Sequence, residues 1–303
     1  MKRFDAEPLA CPKAGVAESP VWFADRLWYC DIEAGALMRF DPATGAHDSW
    51  QIDGKLGAFA PVAGQDTRED HLRLMAGTER GFELLTLSQS GLARDLVASP
   101  FAPGPGIRFN DGIADPKGRY WSGTIERDRK GLGRLYLLDH GEARQVMEGF
   151  KTLNGLAFSA DGRRLYVSDS FPGIARVWTM RLDDEGMPLE ERQPFLDLSA
   201  YGGRPDGAAL DADGCYWIAA SDSGRILRFD PHGRLDAEIR VPTRNPTNIT
   251  FGGSDLKTAY LTSLNPQEGG DALAGSVFAV SLPYQGRPAD LYSNDRKNPW
   301  PAY

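Results

Sequence analysis

The sequence predicts an all-β fold, a six-bladed β-propeller. Three features carry that expectation: a recurring strand–turn–strand unit, a spacing between units of roughly 40 to 50 residues, and about six copies filling the chain. A β-sandwich built of similar strands would not repeat in such a register.

The units follow one another in order. Glu18-Ser19-Pro20-Val21-Trp22 leads through the turn Asp25-Arg26 to Leu27-Trp28-Tyr29-Cys30. A weaker copy lies near His71-Leu72-Arg73-Leu74-Met75-Ala76-Gly77. Asn110-Asp111-Gly112-Ile113-Ala114 precedes Lys117-Gly118 and then Tyr120-Trp121-Ser122-Gly123. Asn154-Gly155-Leu156-Ala157-Phe158 precedes Asp161-Gly162 and Leu165-Tyr166-Val167-Ser168. Asp206-Gly207-Ala208-Ala209-Leu210 runs to Asp213-Gly214 and Tyr216-Trp217-Ile218-Ala219, and Asn248-Ile249-Thr250-Phe251 runs to Asp255 and Ala259-Tyr260-Leu261-Thr262. Third strands are expected at Ala36–Asp41, Gly133–Leu137 and Arg225–Asp230. β-rich runs separated by Gly, Asp and Pro are hairpins. Residues 1–303 are read as one domain, with 294–303 lacking a strand pattern and read either as a loose tail or as a segment whose Trp300 docks on the propeller.

The register has a geometric consequence. Glu18, Asn110, Asn154, Asp206 and Asn248 stand at the same place ahead of each turn, and equivalent positions of successive blades lie on a ring about the channel. Taken singly, Asn154-Gly155 and Asp206-Gly207 read first as hairpin turns. Glu18 and Asn248 have no following glycine, so the turn explanation fails for them. Carboxylates packed at one mouth repel unless coordinated, and a hard cation relieves that cost. Oxygen donors favour Ca²⁺, Mg²⁺ or Mn²⁺ over Zn²⁺ or Fe²⁺, which more often take nitrogen or sulfur.

Composition narrows the remaining classes. The formal charge is −8 with no run of Lys or Arg, which argues against a nucleic-acid partner. No stretch approaches bilayer length, so no membrane partner is expected. Cys11, Cys30 and Cys215 are scattered and odd in number, and the amino-terminal residues lack an apolar leader; both fit a soluble protein of a reducing compartment, the cytoplasm. His47, His71, His140 and His232 are dispersed in turn-like sequence, and no H-E-x-x-H, G-x-S-x-G, Walker or dinucleotide fingerprint is present. Asp211-Ala212-Asp213-Gly214 is a hairpin turn, because the glycine and terminal glutamate of an EF-hand loop are missing.

The ordered series resembles the senescence-marker-protein, gluconolactonase and regucalcin-like family of six-bladed propellers. The resemblance rests on Glu18-Ser19-Pro20-Val21-Trp22, Arg108-Phe109-Asn110-Asp111-Gly112, Asn154-Gly155-Leu156-Ala157-Phe158-Ser159, Pro205-Asp206-Gly207, Thr247-Asn248-Ile249-Thr250-Phe251-Gly252-Gly253 and Ala274-Gly275-Ser276-Val277-Phe278. It implies that Glu18, Asn154 and Asp206 ligate one divalent ion (Ca, Mn, Mg, Zn or Fe). It further implies that Arg108 and Asn110 hold a sugar-lactone substrate, and that Glu126 or Asp128 supplies an acidic contact to it. The implied reaction is hydrolysis of an aldonolactone, with Asp206 as both ligand and general base. Two other readings stay open: hydrolysis of another ester or phosphoester, and a metal-binding propeller without catalysis. Two departures are visible. Ala17-Glu18-Ser19 replaces the commoner Gly-Glu-Gly, and Ala220-Ser221-Asp222-Ser223-Gly224 replaces a Trp followed by glycines, which bears on substrate choice.

Overall fold

Six sheets make up the structure; in each, neighbouring strands are antiparallel and in chain order, apart from the two amino-terminal strands, which join the outer edges of the fifth and sixth sheets. The computed structural model describes residues 1–65, 71–102, 106–266 and 269–294. The tail expected over 294–303, including Trp300, falls outside these residues apart from Asn294. Counting blades along the chain, the innermost strands are Ala17–Phe23, Leu56–Pro61, Ile107–Ala114, Leu153–Phe158, Arg204–Leu210 and Pro246–Gly252. These strands pack against the inner strands of the neighbouring blades and surround the channel.

The expected tight turns join inner to second strands, with Gly162 and Gly214 at φ 65° and 74°, values that suit glycine. Asn154-Gly155 and Asp206-Gly207 instead lie inside inner strands, so the hairpin reading does not hold for either. The second blade also departs from expectation. Leu72–Thr78, which contains the weak repeat copy, is its second strand, while the inner strand Leu56–Pro61 offers Gly57 where other blades offer a polar side chain. That strand escapes sequence reading because residues 62–71 separate it from its partner where the other blades have a short turn.

Apolar faces meet between blades. Six hydrophobic clusters form, one across each interface. Between the third and fourth blades, Trp121, Leu135 and Leu137 pack on Leu156, Phe158 and Val167, all buried. The turn at Asp211 adds a polar anchor, since its buried carboxylate accepts from Trp217 Nε1 at 2.9 Å and Arg228 Nε at 2.7 Å. Asp115 holds Trp121 and Arg119 in the same way in the third blade, each at 2.8 Å. The amino-terminal residues close the ring: Glu7–Pro8 is the fourth strand of the sixth blade, and Lys2–Asp5 pairs in parallel with Leu235–Arg240 of the fifth. Among the described residues no helix is long and apolar enough to cross a membrane, and the three cysteines are free.

Candidate functional site

Each inner strand carries a break in pairing register at the same point: between Glu18 and Val21, Leu56 and Ala58, Phe109 and Gly112, Asn154 and Ala157, Pro205 and Ala208, and Pro246 and Asn248. An extra residue in one strand re-aims the side chains beside it. Repetition around the channel brings the five polar residues read from the sequence to one mouth.

Contacts close the ring. Asn248 Nδ2 donates to Glu18 Oε2 at 2.8 Å, and Asn110 Nδ2 donates to Asn154 Oδ1 at 2.8 Å. Asn154 Nδ2 donates to Ser170 Oγ at 2.6 Å, whose hydroxyl donates to Pro205 O at 2.5 Å, beside Asp206. The Asn248 carboxamide packs on Gly207, where an added Cβ would fall 1.9 to 2.4 Å from it. At the second blade Ser19 Oγ donates to Gly57 O at 3.1 Å, and Gly57 lies flat against the backbone of Phe109 and Asn110. Ser19 takes φ 49°, a left-handed conformation uncommon outside glycine, and its N–H donates to Glu18 Oε2. This is how the altered Ala17-Glu18-Ser19 segment keeps the carboxylate in place.

Electrostatics mark the mouth as short of positive charge at its floor. Burial, the Asp206 carboxylate and the Asp111 carboxylate hold Glu18 well above the usual carboxylate range, although Asn248 and the Ser19 N–H oppose them. Burial pushes Asp206 up to about 8, with Arg204 opposing and Asp111 and Asp222 reinforcing. Burial also lifts Asp111 to about 6, against hydrogen bonds from the N–H groups of Leu156, Gly112 and Gly155. Carboxyls driven this way favour the protonated form unless a cation joins them. The donors that could hold one are Glu18, Asp206 and the Asn154 carbonyl oxygen, whose second lone pair is left over beside the Asn110 contact. An all-oxygen set of this charge fits a hard divalent ion. Among the described residues no three His, Cys, Asp or Glu side chains form a metal-holding group, so a carboxamide is needed to complete this one.

A cleft of about 730 Å³ near this mouth is lined by Arg108, Glu126, Arg127 and Arg129. Arg108 Nη1 donates to Asn110 Oδ1 and Phe109 O, both at 2.9 Å. Burial, then the Arg129 guanidinium, lowers Arg108 to about 10. Glu126 is buried and its Oε1 accepts the Leu132 N–H at 3.3 Å. Asp128 is exposed and ion-paired to Lys130 at 3.0 Å, away from the cleft lining. Sequence reading missed Asp111, Arg129 and Arg204. Asp111 and Arg204 could have been found, since both share the mouth end of an inner strand with a ring residue. Arg204 forms a two-point ion pair with Asp222, Nε to Oδ2 at 2.5 Å and Nη2 to Oδ1 at 3.0 Å. Asp222 belongs to the 220–224 segment noted above, so that departure introduces a charge pair at the mouth.

Known proteins resemble this chain in sequence and in fold. The pattern of the SMP-30/Gluconolactonase/LRE-like region matches residues 16–265. A 6-deoxy-6-sulfogluconolactonase of Pseudomonas putida is 38% identical over 289 residues, covering 92% of this chain and 95% of its own. A pentonolactonase of Haloferax volcanii is 33% identical over 287 residues, covering 90% and 93%. The crystal structure of a calcium-binding protein, regucalcin, from Agrobacterium tumefaciens superposes with a TM-score of 0.87 at 24% identity over 96% of this chain and 99% of its own, which establishes the shared fold.

Proposed function

Because this chain belongs to the SMP-30/gluconolactonase/LRE-like family, we propose that it is a lactonase, hydrolysing a sugar lactone to the sugar acid. The observation that carries the reading is the pair Glu18 and Asp206: two desolvated carboxyls whose charges oppose each other at the channel mouth, with the Asn154 oxygen on the same ring.

Glu18, Asn154 and Asp206 would hold one divalent ion. When bound, that ion supplies Lewis acidity for the lactone carbonyl and the positive charge that keeps Glu18 and Asp206 anionic. Arg108 and Asn110 orient the sugar ring by hydrogen bonds to its hydroxyls, and their mutual contact fixes the Arg108 fork. Glu126 accepts from a ring hydroxyl at the cleft wall. Asp206 takes a proton from the attacking water as the oxygen adds to the carbonyl carbon. It returns the proton to the ring oxygen as the acyl C–O bond breaks, so the product is the open-chain acid. Asn248 positions Glu18 through its hydrogen bond to the carboxylate.

The test is a pH-indicator assay over neutral and charged aldonolactones, with chelator and then with single divalent ions, after subtracting spontaneous opening. Turnover is expected with one or more ions and to vanish with chelator. Faster hydrolysis of aryl esters or phosphotriesters than of any lactone would overturn the substrate class, and thermal stabilisation by an ion with no turnover would overturn catalysis.

A further inference from the structure

The cleft beside the mouth carries more positive charge than the ring chemistry uses. Arg108, Arg127 and Arg129 all line it, and none has a carboxylate within ion-pair distance among the described residues. Of the acidic residues sharing the lining, Glu33 is taken by Lys55 at 2.9 Å, Glu126 accepts a backbone N–H, and the Glu79 carboxylate lies against Gly54. Arg80, a further lining cation, is engaged by Glu83 at 3.1 Å.

Arg129 is the notable member. The only side-chain hydrogen bond it makes among the described residues is from Nη1 to Thr152 Oγ1 at 3.0 Å, which leaves most of the five guanidinium N–H donors unspent. It is half-buried and takes φ 53°, a left-handed backbone that costs about 1–2 kcal/mol in a residue with a Cβ. Burial chiefly, and then the Arg204 guanidinium, disfavour its charged form, while Asp169, Asp206 and Glu126 relieve part of that cost without an ion-pair contact; Arg108, disfavoured first by its own burial, feels the Arg129 charge in turn. Arginines gathered so closely, with spare donors facing an open cleft, form a receptor for an oxyanion, because the guanidinium fork matches carboxylate, phosphate and sulfonate oxygens. Arg108 lines the cleft and also donates to Asn110, which donates to Asn154, so the cleft opens beside the ring residues of the mouth.

We propose that this cleft selects lactones bearing an anionic substituent remote from the ring carbonyl, with Arg129 and Arg127 holding the anion and Arg108 at its inner edge. The inference rests on the lactonase reading of the mouth and names its substrate class. A neutral hydroxymethyl group offers acceptors too weak to offset the desolvation of two guanidiniums.

The test compares kcat/KM for glucono-1,5-lactone with its 6-phospho and 6-deoxy-6-sulfo counterparts; the two charged arms separate phosphate from sulfonate. The charged substrates are expected to be favoured roughly tenfold or more, through KM, with the preference shrinking as salt rises. Arg129→Gln and, separately, Arg127→Gln should pull the ratio toward unity; Arg127 is exposed, so its variant folds if Arg129→Gln does not. Calorimetric binding of 6-phosphogluconate and 6-sulfogluconate against gluconate gives a readout without turnover. Equal or better hydrolysis of the neutral lactone, with equal binding of the three acids, overturns the anion site and leaves the lactonase reading standing. If no lactone is opened, the lactonase reading falls, and the acid-binding comparison alone decides for or against the anion site.

Discussion

Asn248 Nδ2 donates to Glu18 Oε2 at 2.8 Å, joining the sixth inner strand to the first across 230 residues of sequence. The same carboxamide accepts the Ile249 N–H on Oδ1 and rests on Gly207. One side chain therefore ties the orientation of Glu18 to the backbone beside Asp206.

Gly207→Ala should disturb both. The added Cβ would press on the Asn248 carboxamide, and overpacking of this kind costs about 1–3 kcal/mol. Glu18 loses its fixed orientation, and ion affinity should fall roughly tenfold or more. Urea unfolding and ion titration check the two effects. Adding Asn248→Ala should recover stability by making room but not ion affinity, since the hydrogen bond to Glu18 stays lost.

Asp206→Asn should separate activity from stability. Loss of the general base lowers kcat by about 10²–10⁴-fold. The chelated protein should melt no lower than wild type, because the amide removes a carboxyl that burial disfavours. Lactone assays and thermal melts in chelator report the two quantities.

The same burial gives stability a pH dependence. Asp111 and Asp206 are pushed up to about 6 and about 8, against roughly 3.9 in the unfolded chain. The folded protein thus holds more protons than the unfolded one between these values, and stability falls as pH rises. In chelator the contribution is fully present below about pH 4 and is lost through pH 6 and 8. The melting temperature should drop from pH 5 to pH 8.5. A saturating divalent ion should flatten the drop, and Asp206→Asn should reduce it.

Ser19 tests the bulge that aims Glu18. Ser19→Gly removes a left-handed penalty of about 1–2 kcal/mol and also a hydrogen bond to Gly57 worth about 1 kcal/mol. Stability should change by less than about 1 kcal/mol. Ser19→Val, β-branched at φ 49°, should lose about 2 kcal/mol or more. Chemical denaturation distinguishes these outcomes.

The ring was legible because five blades repeat a polar residue ahead of a turn, and the propeller converts that linear register into angular position. The second blade was not, since Gly57 has no side chain to mark the strand and its partner lies beyond a long connection. Asn154-Gly155 and Asp206-Gly207 carried a misleading turn signature. Their glycines serve close packing instead, Gly207 against Asn248 and Gly155, at φ 64°, against Ser168 and Tyr216. Arg129 was out of reach of pattern reading because a left-handed loop residue places it, and the Arg204–Asp222 pair shows only when two segments 18 residues apart are brought together.

Anomalous diffraction from a crystal soaked in Mn²⁺ addresses the central claim most directly. The account predicts one strong peak at the channel mouth, roughly 2.0–2.6 Å from carboxylate oxygens of Glu18 and Asp206 and the carbonyl oxygen of Asn154. A peak bound elsewhere, or ordered Mn²⁺ that leaves these three side chains uncoordinated, would contradict it.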